Sequence, residues 1–99
     1  MNRPLFKLGQ ILATPGALSR LADAGQTALE LIVLHVAGNW GVVDSEDAEA
    51  NKEALKDGSR LLSAYLLKDE AKTKVWIITE AEDSNGNRAA TTLLLPEEY

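Results

Sequence analysis

The chain has no cysteine, one histidine and one methionine in 99 residues. Without cysteine there are no disulfides, thiol nucleophiles, zinc ribbons or iron–sulfur clusters. His35 has no second histidine or cysteine at ligand spacing, so no zinc site is expected, and the pattern asks for no metal and no cofactor. A basic run is missing as well. The formal net charge is −5 and the ten lysines and arginines are scattered, which disfavours direct binding to a nucleic-acid backbone. Long apolar runs are also absent. The most apolar stretch, Ala28–Ala37, is interrupted by Glu30 and His35 and is too short to span a bilayer. The first thirteen residues carry no leader pattern. A soluble, cytoplasmic protein is therefore expected. There is no phosphate-binding glycine loop, no Gly-x-Ser-x-Gly elbow, no dinucleotide fingerprint and no His-Glu-x-x-His.

What is present is an ordinary globular balance, 45% hydrophobic and 25% charged, in a length that suits one domain with a modest core. Leu5–Ala13 reads as a strand with a bulge at Gly9. Thr14-Pro15 is a helix cap followed by proline at the first helical position, predicting a helix to about Ala24 that Gly25 ends. Its inward stripe reads as Leu18, Leu21 and Ala22. Thr27 caps a second helix whose apolar residues cover nearly the whole wheel, leaving only the sector of Glu30, Leu34 and Ala37 for water. Such a helix is expected to be central and buried on several sides. Gly38 stops it, and Gly38–Val43 is a tight connection.

Asp44 or Ser45 caps a third helix through about Asp57, with six acids against two lysines between Asp44 and Asp57. Ser59–Leu67, Thr73–Glu80 and Arg88–Leu95 read as strands, and Asn85-Gly86 is a hairpin-turn signal. The order is β-α-α-α-β-β-β. The expected fold is α+β and two-layer, a C-terminal three-stranded antiparallel meander packed on helices. The place of the N-terminal strand in the strand order stays open.

Five residues form a candidate ligand or structural site: His35, Asn39, Trp40, Asn51 and Glu80. His35 projects on the apolar side of the second helix, where it is either a hydrogen-bonded core residue or a general base or metal ligand, the last needing Asp44, Asp47 or Glu80 nearby. Trp40, between Asn39 and Gly41, either seals a core edge or walls a pocket. Asn51 shares an inward face with Ala48 and Leu55, facing the sheet or the Gly38–Val43 turn, so its amide either pins the turn that carries Trp40 or orients a ligand beside His35. Glu80 ends the strand "VWIITE", whose Val75–Ile78 run is apolar on both faces. An exposed second face carrying Trp76 or Ile78 would mark a partner surface or a homo-oligomer interface. On the acidic helix, Glu46, Asp47, Glu49 and Glu53 are the candidate protein contacts.

Several stretches together carry a resemblance: "PLFKLGQILATPGAL", "GNWG" followed by "DSEDAEANKEAL", "RLLSAY", "WIITEAE" and "TTLLLPEEY". They resemble a family of short bacterial proteins found on plasmids and other mobile elements, some of them labelled as a type I restriction methylase subunit. Asn39 stands where the family often has aspartate, and the "EDSNGNRAA" turn is longer. The methylase label does not suit these residues, because a methyltransferase needs a cofactor-binding α/β sheet and a catalytic motif. The resemblance implies a setting in defence, counter-defence or plasmid maintenance, with the acidic helix as a decoy for a nucleic-acid-binding protein. The favoured reading is a small protein-binding module with no catalytic residue. The alternative is a small-ligand or enzymatic site centred on His35, Trp40 and Asn51.

Overall fold

Each of the three helices begins at a side-chain cap. In the computed structural model, which describes residues 4–99, the Thr14 hydroxyl accepts from the Ala17 N–H ahead of α1 (Pro15–Asp23). The start of the stretch inspected for a leader, residues 1–3, lies outside the described residues. Thr27 and Glu30 form a reciprocal capping box at the start of α2 (Ala28–Val36). Asp44 accepts from Asp47 N–H at 2.8 Å to open α3 (Ser45–Asp57). Gly58, at φ +80°, closes that helix in the left-handed conformation.

The strands are β1 (Gln10–Ala13), β2 (Leu61–Leu66), β3 (Lys74–Thr79) and β4 (Ala90–Leu94), in the sheet order β1-β4-β3-β2. β2, β3 and β4 form the expected antiparallel run. The sheet is larger than the expected three-stranded meander. β1 lies parallel to β4, Gln10 opposite Ala90, so the architecture is a mixed four-stranded sheet with three helices. A parallel pair needs a long crossover, and everything from α1 to β3 lies between its two strands.

The N-terminal strand is shorter than read. Gly9 is no bulge: it lies before β1 at φ +64°, and a Cβ there would sit 2.2 Å from the Arg88 carbonyl oxygen. Glycine is what lets the chain reach β4. Upstream, the Leu5 N–H donates to the Val36 carbonyl at the end of α2 rather than to the sheet.

Ala17 and Leu21 of α1 and Leu31 and Ile32 of α2 pack against Tyr65, Val75, Ile77 and Leu93 on one sheet face. The inward stripe of α1 is therefore Ala17 and Leu21, while Leu18 and Ala22 face out. α2 is not buried on several sides. It buries only Leu31, Ile32 and His35, and Leu29 and Val33 are 67% and 52% exposed. No second layer lies over it among the described residues, so the apolar wheel overstates its burial. On the opposite sheet face, Tyr99, following the short turn Pro96–Glu98, sets its ring against Trp76 with centroids 5.8 Å apart. Glu98 accepts from the Thr14 hydroxyl and the Leu95 N–H, latching that turn to the start of α1.

β2 is an edge strand, and its outer side is capped. The Asn51 amide donates to the Leu62 carbonyl at 2.7 Å and accepts from the Leu62 N–H at 3.0 Å. Farther along, the Ala64 N–H donates to Trp40 O, and the Val42 N–H donates to Ala64 O. Gly41 permits this contact. It has φ +75°, and a Cβ would fall 1.9 Å from the Ala64 carbonyl oxygen. Gly41→Ala is expected to destabilise the fold by about 2 kcal/mol, from the positive φ and the displaced segment. Hydrogen exchange would show it as lost protection at the Val42 and Ala64 amides. Unchanged protection there would sink this account of the edge.

Candidate functional site

His35 is fully buried, and both ring nitrogens are engaged. Nδ1 lies 2.6 Å from the Ser63 hydroxyl and Nε2 lies 2.8 Å from the Thr79 hydroxyl. Thr79 Oγ1 is 2.8 Å from Thr91 Oγ1, which donates to the Leu8 carbonyl at 2.7 Å. The proton positions follow in sequence. A carbonyl only accepts, so the Thr91 proton points to Leu8. Thr79 must then donate to Thr91, and His35 Nε2–H must donate to Thr79. Nδ1 is left bare and accepts from Ser63. His35 is thus the neutral Nε2–H tautomer, and burial holds its pKa down at about 4. The chain of four side chains ties α2 to β2, β3, β4 and the segment before β1.

Of the other four candidates, Asn39 and Asn51 use their side-chain amides in hydrogen bonds, whereas Trp40 contributes its ring and Glu80 its backbone. Asn39 accepts from the Gly41 N–H through Oδ1, and its main-chain carbonyl accepts from the Tyr65 hydroxyl at 2.6 Å. Burial pushes that phenol up to about 12. Trp40 stacks on Phe6, with ring centroids 6.2 Å apart, and both rings meet His35 edge-on. Asn51 is spent on Leu62. It shares the buried face of α3 with Ala54, while Leu55 lies half out. Glu80 is exposed. Its N–H donates to Ala90 O and its carbonyl accepts from Arg88, so its contribution here is through the backbone. The structure brings His35, Asn39 and Trp40 close together. Asn51 is pinned on the sheet edge and Glu80 lies beyond the end of β3.

Sequence reasoning passed over Arg88, which it read only as the start of a strand. Arg88 is buried and donates to three carbonyls, Ser59 at 2.8 Å, Glu80 at 2.9 Å and Ala54 at 3.3 Å. Its guanidinium lies 5.8 Å from the Phe6 ring centroid, and Glu82 is its carboxylate neighbour at 3.9 Å. The available signal was an arginine at the mouth of an otherwise apolar strand.

The accessible concavity lies elsewhere. A cleft of about 250 Å³ opens on the sheet face turned away from α1 and α2. Leu62 and Ala64 of β2 and Trp76 of β3 form its floor, with Lys74 on one side. Val42, Val43, Asp44 and Asp47 form the facing wall. Asp44 spends one carboxylate oxygen on the α3 cap. Asp47 is the one residue of the acidic set that reaches the cleft. Glu46 and Glu49 are exposed on α3 outside it, and Glu53 is exposed beside Lys56 at 3.9 Å. The cleft therefore joins an apolar aromatic floor to a wall carrying two carboxylates, an arrangement suited to holding a cation attached to an apolar stem.

Among the described residues no helix is long and apolar enough to cross a membrane, and no group of three or more histidines, cysteines or acids could hold a metal ion. Compared with protein-family models, with curated proteins and with solved structures, the chain returns no match.

Proposed function

We propose that the chain is a small non-enzymatic, cytoplasmic binding module whose cleft beside Trp76 receives a basic, partly apolar segment of another protein. One observation carries this reading: the cleft brings Asp44 and Asp47 to the rim of an apolar floor that includes Trp76. A lysine or arginine fits it by laying its stem on Trp76 and its charge beside the two carboxylates, away from Lys74. The polar groups around His35, in contrast, are closed off and satisfied, which is the arrangement of a core. Asp47 supplies the link to the acidic helix, whose remaining acids would steer a basic partner toward the cleft. The resemblance to plasmid-associated proteins supports a role in mobile-element biology, with a nucleic-acid-binding protein as the kind of basic partner involved.

The test is an NMR titration with two designed peptides, one alternating lysine and leucine, the other alternating glutamate and leucine. The basic peptide is expected to shift the Trp76 indole and the Asp47 amide, and to bind more weakly as salt rises. Asp47→Lys and Trp76→Ala are each expected to weaken it by about tenfold. Equal binding of both peptides, or shifts centred on Trp40 rather than Trp76, would overturn the proposal.

A further inference from the structure

The two edges of the sheet are treated differently. The β2 edge is closed by the Asn51 amide and by Trp40–Val42. The β1 edge has no strand beside it among the described residues. Natural sheets guard an open edge by keeping it short or with charge, proline or a bulge, and β1 is short, with four residues, but carries none of the other three. Its sequence is Gln-Ile-Leu-Ala. It also presents apolar side chains to water on both faces, Ile11 at 51% and Leu12 at 42% exposed.

From this we infer that the chain forms a symmetric homodimer by antiparallel pairing of β1 with β1 of a second copy. The backbone fixes the register. The amides of Gln10 and Thr14 donate inward to Ala89 and Leu93 of the β4 side. Peptide groups alternate along a strand, so those of Ile11 and Ala13 point outward. Two outward units two residues apart are self-complementary about a two-fold axis. Ile11 of each copy exchanges hydrogen bonds with Ala13 of the other, and Leu12 lies opposite Leu12 on the axis as a non-hydrogen-bonded pair.

Charge favours this occupant over a face-to-face dimer. α3 and its acids lie at the β2 edge, joined to it through Asn51. In the edge-paired dimer the two four-stranded sheets become one of eight strands with a β2 at each end. Seven strand spacings put those ends about 34 Å apart, several times the Debye length of about 8 Å at physiological salt. Packing two copies through the Trp76 cleft would instead bring their Asp44 and Asp47 carboxylates together. The inference does not depend on what the cleft binds.

Sedimentation of the full chain over a concentration series into the high micromolar range is expected to show a monomer–dimer equilibrium. Leu12→Lys places like charges directly opposite each other on the axis and is expected to leave a monomer throughout. The chain has no native cysteine, so a second measurement is available if that variant misfolds. Leu12→Cys should cross-link as a dimer under oxidised glutathione, because the non-hydrogen-bonded antiparallel pair sets the Cα atoms at about 4.5 Å, within disulfide reach. Val33→Cys on α2 should not. A monomer at every concentration, a dimer that survives Leu12→Lys, or equal cross-linking of the two cysteine variants would overturn the proposal.

Discussion

Arg88→Met is expected to lower the stability of the fold by about 3–5 kcal/mol. Methionine replaces the stem of the side chain but none of its donors. The Ala54 carbonyl keeps the Gly58 N–H as a partner. The Ser59 and Glu80 carbonyls lose the guanidinium that binds them in a part-buried setting, and each acceptor left unmet there costs up to about 1–3 kcal/mol. The Phe6 ring loses its cation as well. Against a typical stability of about 5–15 kcal/mol, this is a large share of the total. Arg88→Lys should fall between, because an ammonium cannot reproduce the planar fork that spans α3, the entry to β2 and the exit of β3. Urea unfolding reads the effect as a shift in midpoint. A loss below about 1 kcal/mol for Arg88→Met would mean that these carbonyls find water, and that Arg88 does not clasp the three elements.

Acid is expected to destabilise the protein well above the range in which its carboxylates titrate. His35 has an ordinary pKa of 6.5 when unfolded and about 4 in the fold. The unfolded chain therefore binds the proton first, and stability falls as the pH drops from about 7 through 6.5 toward 4, levelling off below. A difference of this size corresponds to about 3 kcal/mol. Burial causes it: none of the hydrogen-bond partners of His35 is a carboxylate, and the nearby Arg88 behind Phe6 is itself a cation. Asp57, Asp69 and Asp83 are held below their ordinary value of 3.8 by hydrogen bonds to the Ser59, Thr73 and Asn87 segments, and Glu98 below 4.5 by Thr14. Their contribution is kept until the pH falls through that lower range, so the upper window belongs to His35. His35→Gln should flatten the profile between pH 7 and about 4 even if it lowers stability overall. Nitrogen shifts of the imidazole should place the proton on Nε2 at neutral pH. A proton on Nδ1 would falsify the hydrogen-bond order assigned to Thr79 and Thr91.

The helices were legible because their boundaries are local. Thr14, Thr27 and Asp44 are capping side chains, Pro15 suits a first turn, and Gly58 suits a left-handed exit. The strand runs after Ser59 were legible for the same reason, and Asn85-Gly86 does form a tight turn, with Gly86 N–H donating to Asp83 O. What was not legible depends on contacts far apart in sequence. The apolar wheel of α2 gives no sign that Leu29 and Val33 face outward, since that depends on what else packs nearby. The parallel pairing of β1 with β4 has no signature in either strand. At the candidate site, His35 and Asn51 were rightly located as inward polar residues, but their partners could not be named. Ser63, Thr79 and Thr91 look like ordinary strand residues until three strands align them. The cleft escapes for a similar reason: in sequence Trp76 belongs to a sticky face, and Asp47 is one acid among several on a helix.

The pairing of β1 with β4 also sets an order of events during synthesis. Gln10 waits for Ala90, and Thr14 waits for Glu98. A ribosome adds about 5–20 residues per second, so roughly 4–16 s pass between making the first strand and making its neighbour. For most of that interval α1 and α2 have been made, but the strands that cover Leu21 and Leu31 are incomplete. The sheet cannot close by growing outward from the N-terminus, because its first strand is laid down last, against an assembled meander. Folding of this chain is therefore expected to be a late step governed by the C-terminal third, and the newborn N-terminal half, with its apolar helices and unguarded strand, is the species a chaperone would meet.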